Sequence, residues 1–137
     1  MNSMDDLALP DDFPDRATFE AEWVAALRSG EYQQGRYDLH PNTTWCCLGV
    51  ACDIAIRHGI GRWIGECYVA PNGERTSSSL PALLRAYLNR DGGGAPPNSH
   101  DTLAGLNDSG VPFAVIAGVI EGTITYEDAA KAGDAAS

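Results

Sequence analysis

No stretch of this chain strings together the roughly 18 apolar residues of a membrane-crossing helix, and no charged-then-apolar leader opens it. From these absences we expect neither anchorage nor export, and hence a cytoplasmic location in which thiols stay reduced. Basic residues are scarce: Lys+Arg number 9 against 19 Asp+Glu, for a net charge of −10. Such a surface repels phosphate backbones and anionic lipid, so nucleic acid and membrane are not expected as partners, although a local cationic pocket remains compatible with it. Histidine is limited to His40, His58 and His100, which shortens the search for a general base. The four cysteines, Cys46, Cys47, Cys52 and Cys67, do not form paired C-x-x-C knuckles, so we expect no metal. A disulfide is disfavoured by the compartment, even if Cys67 meets Cys46 or Cys47 in space. Asp91-Gly92-Gly93-Gly94 lacks the Lys-Ser/Thr that completes a phosphate-cradling loop, and no cofactor is expected. There is no internal repeat.

What is present points to one domain. A chain of 137 residues can bury roughly two-thirds of its unfolded surface, enough for a core without staples. We divide it into an acidic, flexible segment 1–14, a single globular domain 15–128 and a flexible tail 129–137. Within the domain, Phe19, Trp23 and Leu27 recur at helical spacing over 15–29, with Asp15 as cap and Gly30 as stop. A second helix begins at Thr43 or Thr44, buries Leu48, Ala51, Cys52 and Ala55, and ends at Gly59. Residues 62–70 read as a strand, followed by the turn Pro71-Asn72-Gly73 and a possible hairpin partner over 74–77. Ser79 caps a third helix carrying Leu80, Leu83, Leu84, Tyr87 and Leu88. Residues 91–99 form a glycine- and proline-rich loop. Two short helices follow, over 100–107 and from Pro112 to Gly122. The fold class is therefore α+β and α-rich, with about five helices packed with a small sheet or hairpin.

Three features invite a chemical reading. Cys46 and Cys47 fall in the first turn of the second helix, where the dipole lowers a thiol's pKa. Cys47 as nucleophile with His100 as base would make a cysteine-dependent hydrolase or transferase. The alternative is that these cysteines pack as small hydrophobes, with the stretch 43–53 as the hub of the core. Gly49 inside that helix costs about 1 kcal/mol relative to Ala, which implies close approach of another segment. Next, residues 104–122 have a helix-turn-helix cadence, but the second helix offers no Arg, Lys, Asn or Gln to base edges, so it reads as packing. Last, Tyr32, Gln34, Arg36 and Tyr37 combine stacking faces, an amide and a guanidinium, and Asn107 and Asp108 can hold a hydroxyl. Together these six are the candidate ligand-binding residues.

Three blocks appear in order: W-V-A-A-L-R-S-G-E-Y-Q-Q-G over 23–35, W-C-C-L-G-V-A-C-D over 45–53, and L-N-D-S-G-V-P-F-A-V-I-A-G-V-I-E over 106–121. The set resembles a group of small, largely uncharacterised proteins encoded by bacteriophages, prophages and some bacteria. The resemblance implies a single-domain accessory protein in the cytoplasm of an infected bacterial host. Its expected partner is a host protein or a small anionic, nucleotide-like molecule, in a counter-defence or host-takeover role. We expect binding rather than catalysis, with the Cys47–His100 enzyme as the alternative.

Overall fold

The chain is described by a computed structural model covering residues 12–36, 38–40, 43–77, 79–88 and 103–136. Asp15 begins the first helix, α1 (Arg16–Ser29), by accepting the Thr18 N–H at 2.8 Å, and Gly30 ends it at φ 81°. Its apolar stripe buries Phe19, Trp23, Val24 and Leu27. The second helix, α2 (Cys47–Arg57), does not start at a threonine. Cys46 is its cap, with extended backbone and a sulfur that accepts the Gly49 N–H at 3.3 Å. Thr43 and Thr44 precede the cap, because the Cys46 N–H is already committed to the Leu39 carbonyl at 3.0 Å. The close approach expected at Gly49 is present: a Cβ there would lie 1.8 Å from the Leu39 carbonyl oxygen.

The strand expected over 62–70 is a hairpin. Gly65, at φ 60°, turns β1 (Arg62–Ile64) back onto β2 (Cys67–Val69). The second turn runs as expected: Gly73 N–H donates to the Ala70 carbonyl and Asn72 Oδ1 accepts the Glu74 N–H at 3.0 Å. It places β3 (Arg75–Thr76) beside β2, giving an antiparallel sheet in the order β1-β2-β3. Trp63, Tyr68 and Thr76 stand in one row of this sheet, and Arg62, Val69 and Arg75 in the next. Successive residues face opposite sides, so the first row faces the core and the second faces outward.

The third helix, α3 (Ala82–Leu88), starts later than a Ser79 cap would place it. Pro81 precedes it, and Glu74 Oε1 accepts the Ala82 N–H at 2.9 Å in place of a local cap. Then come α4 (Leu103–Asp108) and α5 (Phe113–Glu121), the latter opened by Pro112 and closed by Gly122 at φ 86°. Helix α5 is buried at Phe113, Ile116, Ala117, Gly118, Val119 and Ile120. It packs chiefly on α1 and also against α4 and α6 (Tyr126–Ala136). Most of α5 is thus committed to packing, with Ala114 and Glu121 left exposed.

The tail expected from residue 129 falls within helix α6 as far as residue 136. Thr125 Oγ1 accepts the Asp128 N–H at 3.1 Å and fully buried Ala129 seats the helix on the core. Alanines do not show as an apolar stripe, which is why the pattern hides it. The described residues thus hold six helices and one three-stranded sheet around one core, an α+β single domain. Among them no helix is long and apolar enough to cross a membrane.

Candidate functional site

Two clusters of polar side chains flank α2, and they differ in kind. The first is closed. Residue 34 pairs with Trp45 in a parallel bridge, which carries the Gln34 side chain toward the α4–α5 turn. Gln34 Nε2 donates to Asn107 Oδ1 at 3.0 Å and to the Val111 carbonyl at 2.7 Å, while Oε1 accepts the Phe113 N–H at 3.2 Å. Asn107, fully buried, also accepts the Cys47 N–H at 3.2 Å and donates to the Gly35 carbonyl at 2.8 Å. One amide pair therefore ties the 34–35 segment, the first turn of α2 and the start of α5 together. These amides are spent on the fold, satisfying backbone groups that burial would otherwise leave unpaired.

The second cluster is half open. Tyr32 Oη donates to Asp53 Oδ2 at 2.7 Å, and Trp63 Nε1 donates to Asp53 Oδ1 at 3.2 Å. Arg57 Nη2 donates to Tyr32 Oη at 2.6 Å, with the guanidinium 3.9 Å from Asp53 and 5.7 Å from the Tyr32 ring centroid. Burial, together with the Asp53 carboxylate, pushes the Tyr32 phenol pKa upward, so the hydroxyl stays a donor. His40 stacks on Trp45 at 3.6 Å and 11°, and Trp45 in turn meets the edges of Tyr32 and Trp63 at 5.1 and 5.6 Å. His40 Nδ1 lies 2.6 Å from the Thr44 carbonyl. A carbonyl only accepts, so Nδ1 carries the proton and Nε2 is left to other partners. His40, Trp45, Asp53 and Trp63 are each half-buried, so part of every one of them reaches solvent.

The cysteines face the interior. Cys46, Cys47 and Cys52 are buried, and all four cysteines are free thiols. Burial pushes the Cys46 thiol up to about 12 and those of Cys47 and Cys52 well above their ordinary value. Desolvation has overridden the helix dipole on which a nucleophilic role depends. The Cys47 sulfur points at the Leu103 carbonyl, 3.5 Å away. His58 is engaged with Glu22 at 2.8 Å at the far end of α2. His100, the base in the alternative reading, lies outside the described residues. No three His, Cys, Asp or Glu side chains gather as metal ligands among the described residues.

Of the six ligand-binding residues read from the sequence, the structure brings Gln34 and Asn107 together inside the closed clasp and puts Tyr32, buried, in the half-open cluster. Arg36 is exposed beside Gly110, where a Cβ would come 2.7 Å from its Nη2. Asp108 is half-buried at the end of α4, and Tyr37 lies outside the described residues. Sequence reasoning missed His40, Trp45 and Trp63 as members of one cluster. Asp53 organises two of the rings, accepting hydrogen bonds from Tyr32 and Trp63. Two concavities lie elsewhere. A groove of about 580 Å³ runs between α1 and α5 beside the Arg28–Glu121 ion pair, and a cleft of about 290 Å³ opens on the outer face of the sheet.

The protein is thus a small α+β domain with a half-open aromatic cluster beside a buried cysteine helix. It belongs to the family described as Domain of unknown function (DUF8296), which matches residues 16–124 and so spans both clusters. No curated protein and no solved structure matches the chain.

Proposed function

We propose that this is a binding protein rather than an enzyme, a phage-type accessory factor of the bacterial cytoplasm that engages a host protein through Tyr32, His40, Trp45 and Trp63. The half-open aromatic cluster carries the reading. Trp, Tyr and Arg dominate the energetics of protein interfaces because they bury much area at little entropic cost. Here Asp53 holds Tyr32 and Trp63 by hydrogen bonds, so little order is left to be lost on binding. Thiol chemistry lacks comparable support, since the Cys47 sulfur is fully buried with its pKa raised.

Net charge −10 favours a partner with a basic surface, whose association would quicken at low salt. A lysine or arginine of such a partner can lie against the tryptophan faces as a cation–π contact. The test begins with capture from bacterial lysate on the immobilised full chain, followed by purification of the captured protein. Trp63→Ala and Arg57→Gln are then titrated against it. An affinity loss of about tenfold or more for Trp63→Ala, with weaker binding at high salt, is expected. Equal affinity for both variants and the parent would remove the surface from consideration.

A further inference from the structure

We propose that the outer face of the sheet binds a small phosphate monoester between Arg62 and Arg75, with its organic part in the adjoining cleft. This goes beyond the host-protein reading and stands without it, because it uses the opposite face of the sheet. The register pairs Arg62 with Val69 and Val69 with Arg75, so the three form one cross-strand row. Two inter-strand steps separate the arginine Cα atoms by about 10 Å. Side chains in register stand on the same face, so the two arginines flank Val69 on one side of the sheet, within the reach of their long arms. Val69, that residue, is only 8% exposed although it faces away from the core, so the row sits in a depression. The depression continues into the cleft of about 290 Å³ lined by Gly59, Gly61, Arg62, Val69, Ala70 and Gly73. That volume is at the small end of ligand pockets and suits a sugar or part of a nucleoside.

Charge carries the argument further. Like charges sharing a sheet face destabilise it unless a counter-charge is present. The chain has 19 acidic residues to 9 basic ones, so an internal partner is easily supplied. Yet among the described residues neither Arg62 nor Arg75 has a side-chain hydrogen bond or ion pair. The adjacent carboxylate, Glu74, is turned away to the Ala82 N–H at 2.9 Å. Glu66, with contacts of its own, sits in the turn at the far end of β1 and β2. Two exposed guanidinium forks flanking a shallow apolar floor offer the donor chemistry that a phosphoryl dianion accepts, since a guanidinium can pair two phosphate oxygens at once.

Backbone amide NMR of the full chain tests this, with AMP, ribose 5-phosphate and inorganic phosphate as probes and adenosine as the uncharged control. Saturable shifts centred on Gly61, Val69 and Gly73 are expected with AMP or ribose 5-phosphate, the stronger of the two marking the organic part as nucleoside or sugar. Arg62→Gln with Arg75→Gln should weaken binding by about tenfold or more. Arg62→Lys, which keeps the charge but loses the fork, should weaken it by a smaller factor. Arg28→Gln, on α1, should leave it unchanged. The proposal is overturned if none of the three anions gives saturable shifts, if adenosine binds as well as AMP, or if the double variant binds as the parent does while its spectrum shows it folded.

Discussion

The Gln34–Asn107 pair and the Tyr32–Asp53–Trp63 group are both polar clusters against α2, yet they have opposite meanings. In the first, two side-chain amides carry five hydrogen bonds to one another and to the backbone, none of them requiring solvent or ligand. In the second, one carboxylate holds the buried Tyr32 and the half-buried Trp63, and the Trp63 ring, with those of Trp45 and His40, still reaches the surface. Residue type therefore does not distinguish structure from recognition: amides and rings serve either. The difference is where their remaining capacity points. A cluster that satisfies itself is part of the fold, and one that keeps ring faces wet is the one proposed to bind.

The sharpest way to break the comparison is to open the closed cluster. Asn107→Ala strands the buried Cys47 N–H, the Gly35 carbonyl and one Gln34 donor, and should cost about 4 kcal/mol in a denaturant melt. Leu48→Ala, in the fully buried stripe of α2, should cost about 3 kcal/mol. Gly49→Ala should lose about 2 kcal/mol net despite alanine's better helix propensity, because its Cβ meets the Leu39 backbone rather than a movable side chain. At the half-open cluster, Tyr32→Phe removes only the Asp53 and Arg57 contacts and should cost about 1 kcal/mol. If Tyr32→Phe destabilised as much as Asn107→Ala, the second cluster would be as structural as the first.

Two smaller effects sharpen the picture. In native protein, iodoacetamide should modify half-buried Cys67 and spare Cys46, Cys47 and Cys52, with all four reacting after unfolding. Native labelling of Cys47 would restore the thiol chemistry. At acid pH, the capping bond to Thr18 holds Asp15 below its ordinary carboxylate pKa, and the hydrogen bond from Arg28 does the same for Glu121. Both pKa values are lowered in the fold, so their stabilisation is present above about pH 4 and is lost as pH falls through the folded values. Asp15→Asn with Glu121→Gln should flatten that acid limb slightly, a small change because both groups are exposed.

Periodicity made α1, α2 and α5 legible, since each carries large apolar residues on one stripe and ends in a residue that favours the left-handed turn or stops the helix. Features that depend on distant partners were not legible. Cys46 caps α2 only because Leu39 holds its backbone, and α3 is capped by Glu74 from the preceding hairpin. Helix α6 escaped because alanine gives no stripe. The site was legible by residue type but not by role. Gln34 and Asn107 have the chemistry of ligand contacts, and only their separation of 73 residues, closed by folding, shows that they contact each other. His40, Trp45 and Trp63 come from two loops and a strand, and no spacing rule joins them.

The most direct test of the central claim is the calorimetric affinity of the purified host partner for Trp63→Ala, with thermal melting of the same sample as control. The account predicts an affinity lower by about tenfold or more in a protein that still unfolds cooperatively. Affinity equal to the parent's would contradict it and return the aromatic cluster to the status of a packed corner.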